Sequence, residues 1–207
     1  MYGKIYKMDL NYKNINLFPT IIHQFDVYGF GIIQKELIDY SYDLKKKDPI
    51  GSKLSNAGGW QSNSFAIDNN GDILQKFLIN SIGSFPPIHE SISLHMTAWV
   101  NINKKGDYNI KHNHPSSDLS GVLWIKCPKK CGDIIFDNPS NFQDSDTLES
   151  YTQEFKNQTN FYNTYFFIPT EGRILVFPAH LNHRVSPNES NEDRISVSFN
   201  IRLSDEN

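Results

Sequence analysis

Cysteine is scarce in this chain. Only two occur among its 207 residues, both in Cys127-Pro-Lys-Lys-Cys131, which excludes a disulfide framework. The pair resembles half of a zinc site, but the second ligand pair that such a site needs at defined spacing is missing, and the thiols read as reduced. Positive charge is also in short supply. The net charge is −3, and Lys45-Lys46-Lys47, Lys104-Lys105 and Lys129-Lys130 are short and scattered, so no basic stripe offers itself to nucleic acid. The N-terminal stretch lacks the apolar run, roughly 7–15 residues long, of a signal peptide, and no apolar window of about 20 residues could span a bilayer. We therefore expect a cytoplasmic protein with no nucleic-acid or membrane partner. In that setting Asn157-Gln-Thr and Asn188-Glu-Ser carry no meaning as glycosylation sequons.

Repeats and low-complexity tracts are likewise missing, and the length suits a single domain, 1–207, that buries roughly 70% of its unfolded surface. What the chain does hold is aromatic residues, 13% of the total, which favour a β-rich core. Residues 16–28 read as extended, 31–46 as a helix, and 71–83 as a second helix with Ile73, Leu74, Phe77 and Leu78 on one face. From Ser91 the period changes to two. Leu94, Met96, Ala98 and Val100 alternate with His95, Thr97, Trp99 and Asn101, a strand pattern. Strand-like runs follow at 119–127, 133–136, 160–168, 173–177, 183–186 and 194–203, separated by turn signals such as Lys104-Lys105-Gly106 and Thr170-Glu171-Gly172. Helices followed by many short strands predict a mainly β protein, a double-stranded β-helix or jelly roll over 93–203. Residues 1–92 would supply an extended segment and a helical buttress.

The chemistry is concentrated in His112-Asn113-His114, His183 and Arg194-Ile195-Ser196. Two histidines one residue apart share a face of an extended segment, and Pro115 keeps His114 out of the helical region. Imidazole suits iron, zinc, copper or nickel, and a third imidazole from a distant strand would complete a facial set with open positions. We favour His183 for that role over His180, which lies in a turn. His23, His89 and His95 have no partner at ligand spacing and read as surface or hydrogen-bonded histidines. The Arg194 guanidinium is a fork that fits a carboxylate, and Ser196, two residues on, faces the same way with a hydroxyl donor. A surface ion pair of Arg194 with Glu192 or Asp193 would not explain an arginine opening the apolar run Ile195-Val197-Phe199.

With these residues in view, the chain resembles the 2-oxoglutarate/Fe(II) dioxygenase superfamily, whose distal signature is His, ten residues, then Arg-x-Ser. His183 to Ser196 matches that signature without a gap. More narrowly it resembles an uncharacterised group of such oxygenases from bacteria and phages, through Gly58-Gly59-Trp60-Gln61-Ser62, Trp99-Val100-Asn101, His112-x-His114-Pro115, Phe177-Pro178 to His183, and 194–200. The resemblance covers 16–203. It implies ferrous iron held by His112, His114 and His183, 2-oxoglutarate as cosubstrate at Arg194, Ser196 and Asn101, and dioxygen as oxidant. The expected reaction is hydroxylation of a small metabolite, an amino acid or a protein side chain, releasing succinate and carbon dioxide.

One departure stands out. The superfamily usually places Asp or Glu where this chain has His114, so three neutral imidazoles would leave the charge of the iron uncompensated by protein. Asp118 or Asp137 would restore the usual arrangement. We rank the three histidines first, Asp118 next and Asp137 last, since both aspartates lie beside turn residues where Asp is common. Asn101 and Trp124 are expected to line the cavity. Gly58–Ser62 reads either as a flap or, more simply, as a segment in which Trp60 anchors helices to sheet. Two other functions remain open: a cupin-type metalloprotein using His112, His114, Asp118 and His183 without 2-oxoglutarate, and a noncatalytic binding module. Oligomeric state is not legible.

Overall fold

In the computed structural model, which describes residues 13–68, 70–83, 88–89, 91–140 and 148–205, the helices form where capping and apolar spacing coincide. Helix α1 (Gly31–Lys47) ends on Lys45, Lys46 and Lys47, whose charges suit the negative end of the helix dipole. Helix α2 (Ile73–Ile82) begins at Asp72, whose carboxylate accepts from the Leu74 and Gln75 amides, and it buries Leu74, Leu78 and Ile82.

The rest is mainly antiparallel β. In chain order the strands are β1 (His23–Asp26), β2 (Asn56–Ala57), β3 (Trp60–Gln61), β4 (Phe65–Ala66), β5 (Ile92–Asn103), β6 (Tyr108–His112), β7 (Leu119–Lys126), β8 (Ile134–Asp137), β9 (Thr164–Phe167), β10 (Arg173–Pro178), β11 (His183–Val185) and β12 (Arg194–Asp205). They form a seven-stranded sheet, ordered β1-β10-β7-β12-β5-β3 with β4 also on β5, and a five-stranded sheet, ordered β2-β6-β11-β8-β9. Two antiparallel sheets with few helices is an arrangement consistent with a jelly roll.

Period-two alternation decides where each side chain goes. On β12, Ile195, Val197, Phe199 and Ile201 join Ala98, Val100 and Ile102 of β5 in one core, with Leu37 of α1 and Leu74 and Leu78 of α2 packed against them. Each large side chain buried there stabilises the fold by about 1.5–3 kcal/mol. The opposite face of the large sheet contributes Val122, Trp124, Leu175 and Phe177 to a second, smaller core shared with Ile134 and Phe136 of the small sheet. The second core is incomplete. Polar residues occupy the rest of that inner face.

The structure differs from the sequence reading in several places. A helix, α3 (Gln153–Thr159), precedes β9, started by the Thr152 hydroxyl accepting from the Phe155 amide. The run expected to be a strand from 160 therefore shortens to Thr164–Phe167. Strand β6 and the two-residue strands β2–β4 were also not anticipated, because their burial comes from neighbours distant in sequence. The segment 58–62 forms a sheet edge, not a flap. Trp60 is buried with its indole N–H donating to the Asp48 carbonyl at 2.8 Å, and the Ser62 hydroxyl accepts from the Val100 amide at 2.9 Å. Gly59 has a φ of +65°, and a Cβ there would lie 2.8 Å from Asn103 Nδ2, so glycine is required.

Candidate active site

Strand pairing brings the histidines together. His183 opens β11 and pairs with His112 at the end of β6, while the backbone N–H of His114 donates to the Ala179 carbonyl at 2.8 Å. The potential ligand atoms of His112, His114 and His183 lie within 4.8 Å of one another. Ring centroids are 4.4 Å apart for His112–His183, 5.1 Å for His112–His114 and 5.3 Å for His114–His183. Among the described residues, this is the one cluster of His, Cys, Asp or Glu side chains able to hold a metal ion.

Protonation and tautomer favour coordination. His112 Nδ1 lies 2.7 Å from the Ile110 carbonyl and His183 Nδ1 lies 3.0 Å from the Leu181 carbonyl. A carbonyl only accepts, so each Nδ1 carries the proton and each Nε2 presents a lone pair. Burial pushes His183 down to about 3, and the neighbouring His112 adds to the shift. Burial likewise takes His114 to about 4, again with a contribution from His112, and lowers His112 against the opposing hydrogen bond to Ile110. All three rings are neutral near pH 7, as metal ligands must be.

Both alternative carboxylates are engaged elsewhere. Asp118 Oδ2 accepts from the Leu203 amide at 2.8 Å. Asp137 bridges Arg184 at 2.7 Å and Lys111 at 2.5 Å. Burial pushes the Asp137 carboxyl up, but the two cations outweigh it and leave it below its usual range. Sequence position placed both aspartates near the histidines, and turn geometry aimed them away.

Arg194 begins β12 and is about 2% exposed. Its Nη1 donates to the carbonyls of Cys131 at 2.6 Å, Gly132 at 3.4 Å and Ser186 at 3.5 Å. Its Nε and Nη2 have no hydrogen-bond partner among the described residues. The surface ion pair weighed for Arg194 does not form: Glu192 pairs with Lys126, and Asp193 accepts from the Tyr42 hydroxyl. Gly132, at φ +90°, lets its loop close on Ser186, whose carbonyl oxygen a Cβ would meet at 2.2 Å. Cys127 and Cys131 are free thiols, as expected. Hydrogen bonding between them raises Cys127 and lowers Cys131, which also feels the Arg194 charge.

The register across the sheet sets Arg194 opposite Asn103 and Ser196 opposite Asn101 on β5, with Trp124 opposite Ser196 on β7. Asn101, Asn103 and Ser196 are buried. Asn101 Nδ2 donates to Ser198 Oγ at 3.1 Å, while Oδ1 of both asparagines is buried without a partner. Unpaired buried amides are costly and signal a missing ligand or water. Asn103 escaped the sequence reading. Its signal was available: it continues the alternation Trp99, Asn101, Asn103 on the polar face of β5.

A mainly antiparallel β fold with three neutral imidazoles converging beside a buried arginine defines a metal-dependent enzyme of the 2-oxoglutarate oxygenase class. Residues 97–200 match the family described as "Putative 2OG-Fe(II) oxygenase", and the chain belongs to that family. It is thus an oxidoreductase whose family uses Fe(II) and 2-oxoglutarate, which sets aside the noncatalytic module. No curated protein matches the sequence. Several solved structures share the fold. A prolyl-4-hydroxylase from Pseudomonas putida is 12% identical with a TM-score of 0.59, over 88% of this chain and 92% of that one. The carbocyclase SnoK of nogalamycin biosynthesis is 9% identical with a TM-score of 0.61, over 88% and 79%. A Trichoplax adhaerens prolyl hydroxylase, solved with a hypoxia-inducible-factor peptide, is 12% identical with a TM-score of 0.61, over 87% and 83%.

Proposed function

We propose that this protein is a single-domain Fe(II)- and 2-oxoglutarate-dependent dioxygenase that hydroxylates its substrate, with His112, His114 and His183 holding the metal. Convergence of the three imidazoles, two with tautomers set by backbone carbonyls, carries the reading. The donor set fits ferrous iron, because neutral imidazoles at one corner of a cavity leave open positions on the metal. The strand order of the two sheets supports a jelly roll over 93–203, backed by α1 and α2. Two free thiols support a cytoplasmic setting.

Bound iron, cosubstrate and dioxygen together supply the oxidising power, converting 2-oxoglutarate to succinate and carbon dioxide. The chain's own residues bind and orient. Arg194 is pinned through Nη1, so the fork formed by Nε and Nη2 is pre-set to receive the far carboxylate. The Ser196 hydroxyl lies two residues along the same face and can donate to it. A half-turn of the Asn101 amide would exchange the unpaired Oδ1 for donating Nδ2 hydrogens, and Ser198 Oγ can serve either state as donor or acceptor. Desolvation at Arg194 lowers its pKa, and it also strengthens its attraction for an anion in a water-poor site.

The cupin-type reading required Asp118 beside the histidines, and Asp118 instead caps the Leu203 amide. The direct test is anaerobic reconstitution with ferrous iron and 2-oxoglutarate, monitoring the weak visible charge-transfer band of the chelate. Wild type should show the band, Arg194→Ala should weaken it, and His114→Ala should abolish it. Bound iron without a band would return the cupin reading to first place.

A further inference from the structure

We infer that the substrate is an extended polypeptide segment, that it crosses the mouth of the site, and that an acidic side chain of it is received by Arg202. This rests on the function proposed above. The polar inner face of β12 runs Arg194, Ser196, Ser198, Asn200, Arg202, and exposure rises along it from buried Arg194 to exposed Arg202. The facing residues of β5 behave the same way: Asn103 and Asn101 are buried, Trp99 is intermediate, and Thr97 and His95 are exposed. The cavity therefore closes at Arg194 and opens toward Arg202 and His95, which pair directly across the sheet. Cosubstrate at the closed end leaves the open end to the substrate.

Length then discriminates among substrate classes. The Trp99 ring lies 5.8 Å from that of His114, and four residues separate Trp99 from His95, roughly 13 Å of strand. A free amino acid seated at the histidines cannot reach Arg202. An extended chain of about four residues can, because it advances at about the same rise per residue as the strand beneath it.

The mouth is shaped for such a chain on both sides. Toward Arg202 lies a polar cleft of about 670 Å³, bounded by Pro115, Ser116 and Asp118 just after His114 and by His95 and Ser204. Arg202 Nε donates to the Ser116 carbonyl at 2.8 Å, which orders the side chain. Its terminal nitrogens have no acidic partner among the described residues, and such a fork suits a carboxylate. Asp118 tempers the local charge, so the cleft fits one carboxylate better than a doubly charged phosphate. Toward His183 lies a cleft of about 610 Å³, reaching Phe136 and Leu181 and walled by Tyr162, Tyr165 and Phe167. The Phe136 ring is 5.7 Å from that of His183. Aromatic walls accept apolar side chains. Polar and aromatic clefts on opposite sides of one metal-binding cluster are reached together by a chain.

The test uses the iron-loaded full-length protein with 2-oxoglutarate, oxygen and a degenerate library of 12-residue peptides, capped at both ends. Succinate release and a one-oxygen mass gain on peptides are the readouts. Peptides should stimulate succinate release, and modified ones should carry Asp or Glu at a fixed offset of about four residues from the modified position. Arg202→Gln should reduce the acidic preference on the order of tenfold, the loss of one charge-assisted contact, with the chelate band and substrate-free 2-oxoglutarate turnover retained. Modification without acidic preference, an unchanged preference in Arg202→Gln, a preference for phosphoserine over Asp and Glu, or no peptide modified while substrate-free turnover persists would each overturn the inference. Loss of the chelate band in wild type would instead indict the proposed function.

Discussion

Arg194 on β12 lies directly across the sheet from Asn103 on β5, and each is only about 2% exposed. The pair closes the inner end of the cavity with a buried cation and a buried amide. A buried, pinned arginine with unpaired donors is expensive unless an anion visits it.

Replacing Arg194 with Ala should therefore weaken 2-oxoglutarate binding more than iron binding. Loss of a charge-assisted contact worth about 1.5–3 kcal/mol corresponds to roughly a ten- to hundredfold rise in the cosubstrate dissociation constant. Titration of the chelate band against 2-oxoglutarate measures it. An unchanged midpoint would place the cosubstrate elsewhere.

His114 stands where the superfamily usually has a carboxylate. Because it lies with the other two rings, His114→Asp should retain ferrous iron, whereas His114→Ala should lose most of it. Iron stoichiometry after anaerobic desalting distinguishes the two variants. Equal retention by both would remove His114 from the ligand set.

Metal-free protein should lose stability as pH falls from 7 to 5. The folded pKa values of His183, about 3, and His114, about 4, lie below the ordinary value of 6.5. Below 6.5 the unfolded chain takes up protons that the folded chain refuses, so stability falls with pH and is fully present only above that value. Thermal melts of the apo-protein at pH 7, 6 and 5 should show a declining Tm, with the slope reduced in His114→Asn/His183→Asn. A flat Tm would mean that the rings are not desolvated as described.

Asn101→Ala should raise the KM for 2-oxoglutarate by about two- to tenfold, the size of one hydrogen bond worth roughly 0.5–1.5 kcal/mol. Asn101→Asp should be worse, since it sets a carboxylate beside a carboxylate. Steady-state succinate formation reports both. An Asp variant as good as wild type would mean that Asn101 faces no anion.

Leu78 of α2 is fully buried in the larger core, so Leu78→Ala should cost about 2–5 kcal/mol of stability. Urea denaturation measures this, and a loss below 1 kcal/mol, the scale expected of surface changes, would contradict the packing of α2 on the sheet.

Much of this site could be read from spacing alone. His112-x-His114-Pro115 and Arg194-x-Ser196 are local patterns, and the two-residue repeat of an extended chain puts each pair on one face whatever the fold. The apolar alternation on β5 and β12 is equally local, as is the Asp72 cap of α2. The residues missed, Asn103 among them, depend on what lies opposite, and pairing partners such as Arg194 and Asn103 are 91 positions apart.

The sequence by itself determined which residues carry the chemistry and which strands alternate, because covalent geometry imposes those periods at short range. Tertiary structure alone decided that Asp118 and Asp137 turn away to a backbone amide and to two cations. It also decided that Arg194 is held by carbonyls of two separate loops, and that the inner face opens toward Arg202. Each of these outcomes is a competition among partners distant in the chain, settled by which donor, acceptor or solvent the folded sheets leave within reach.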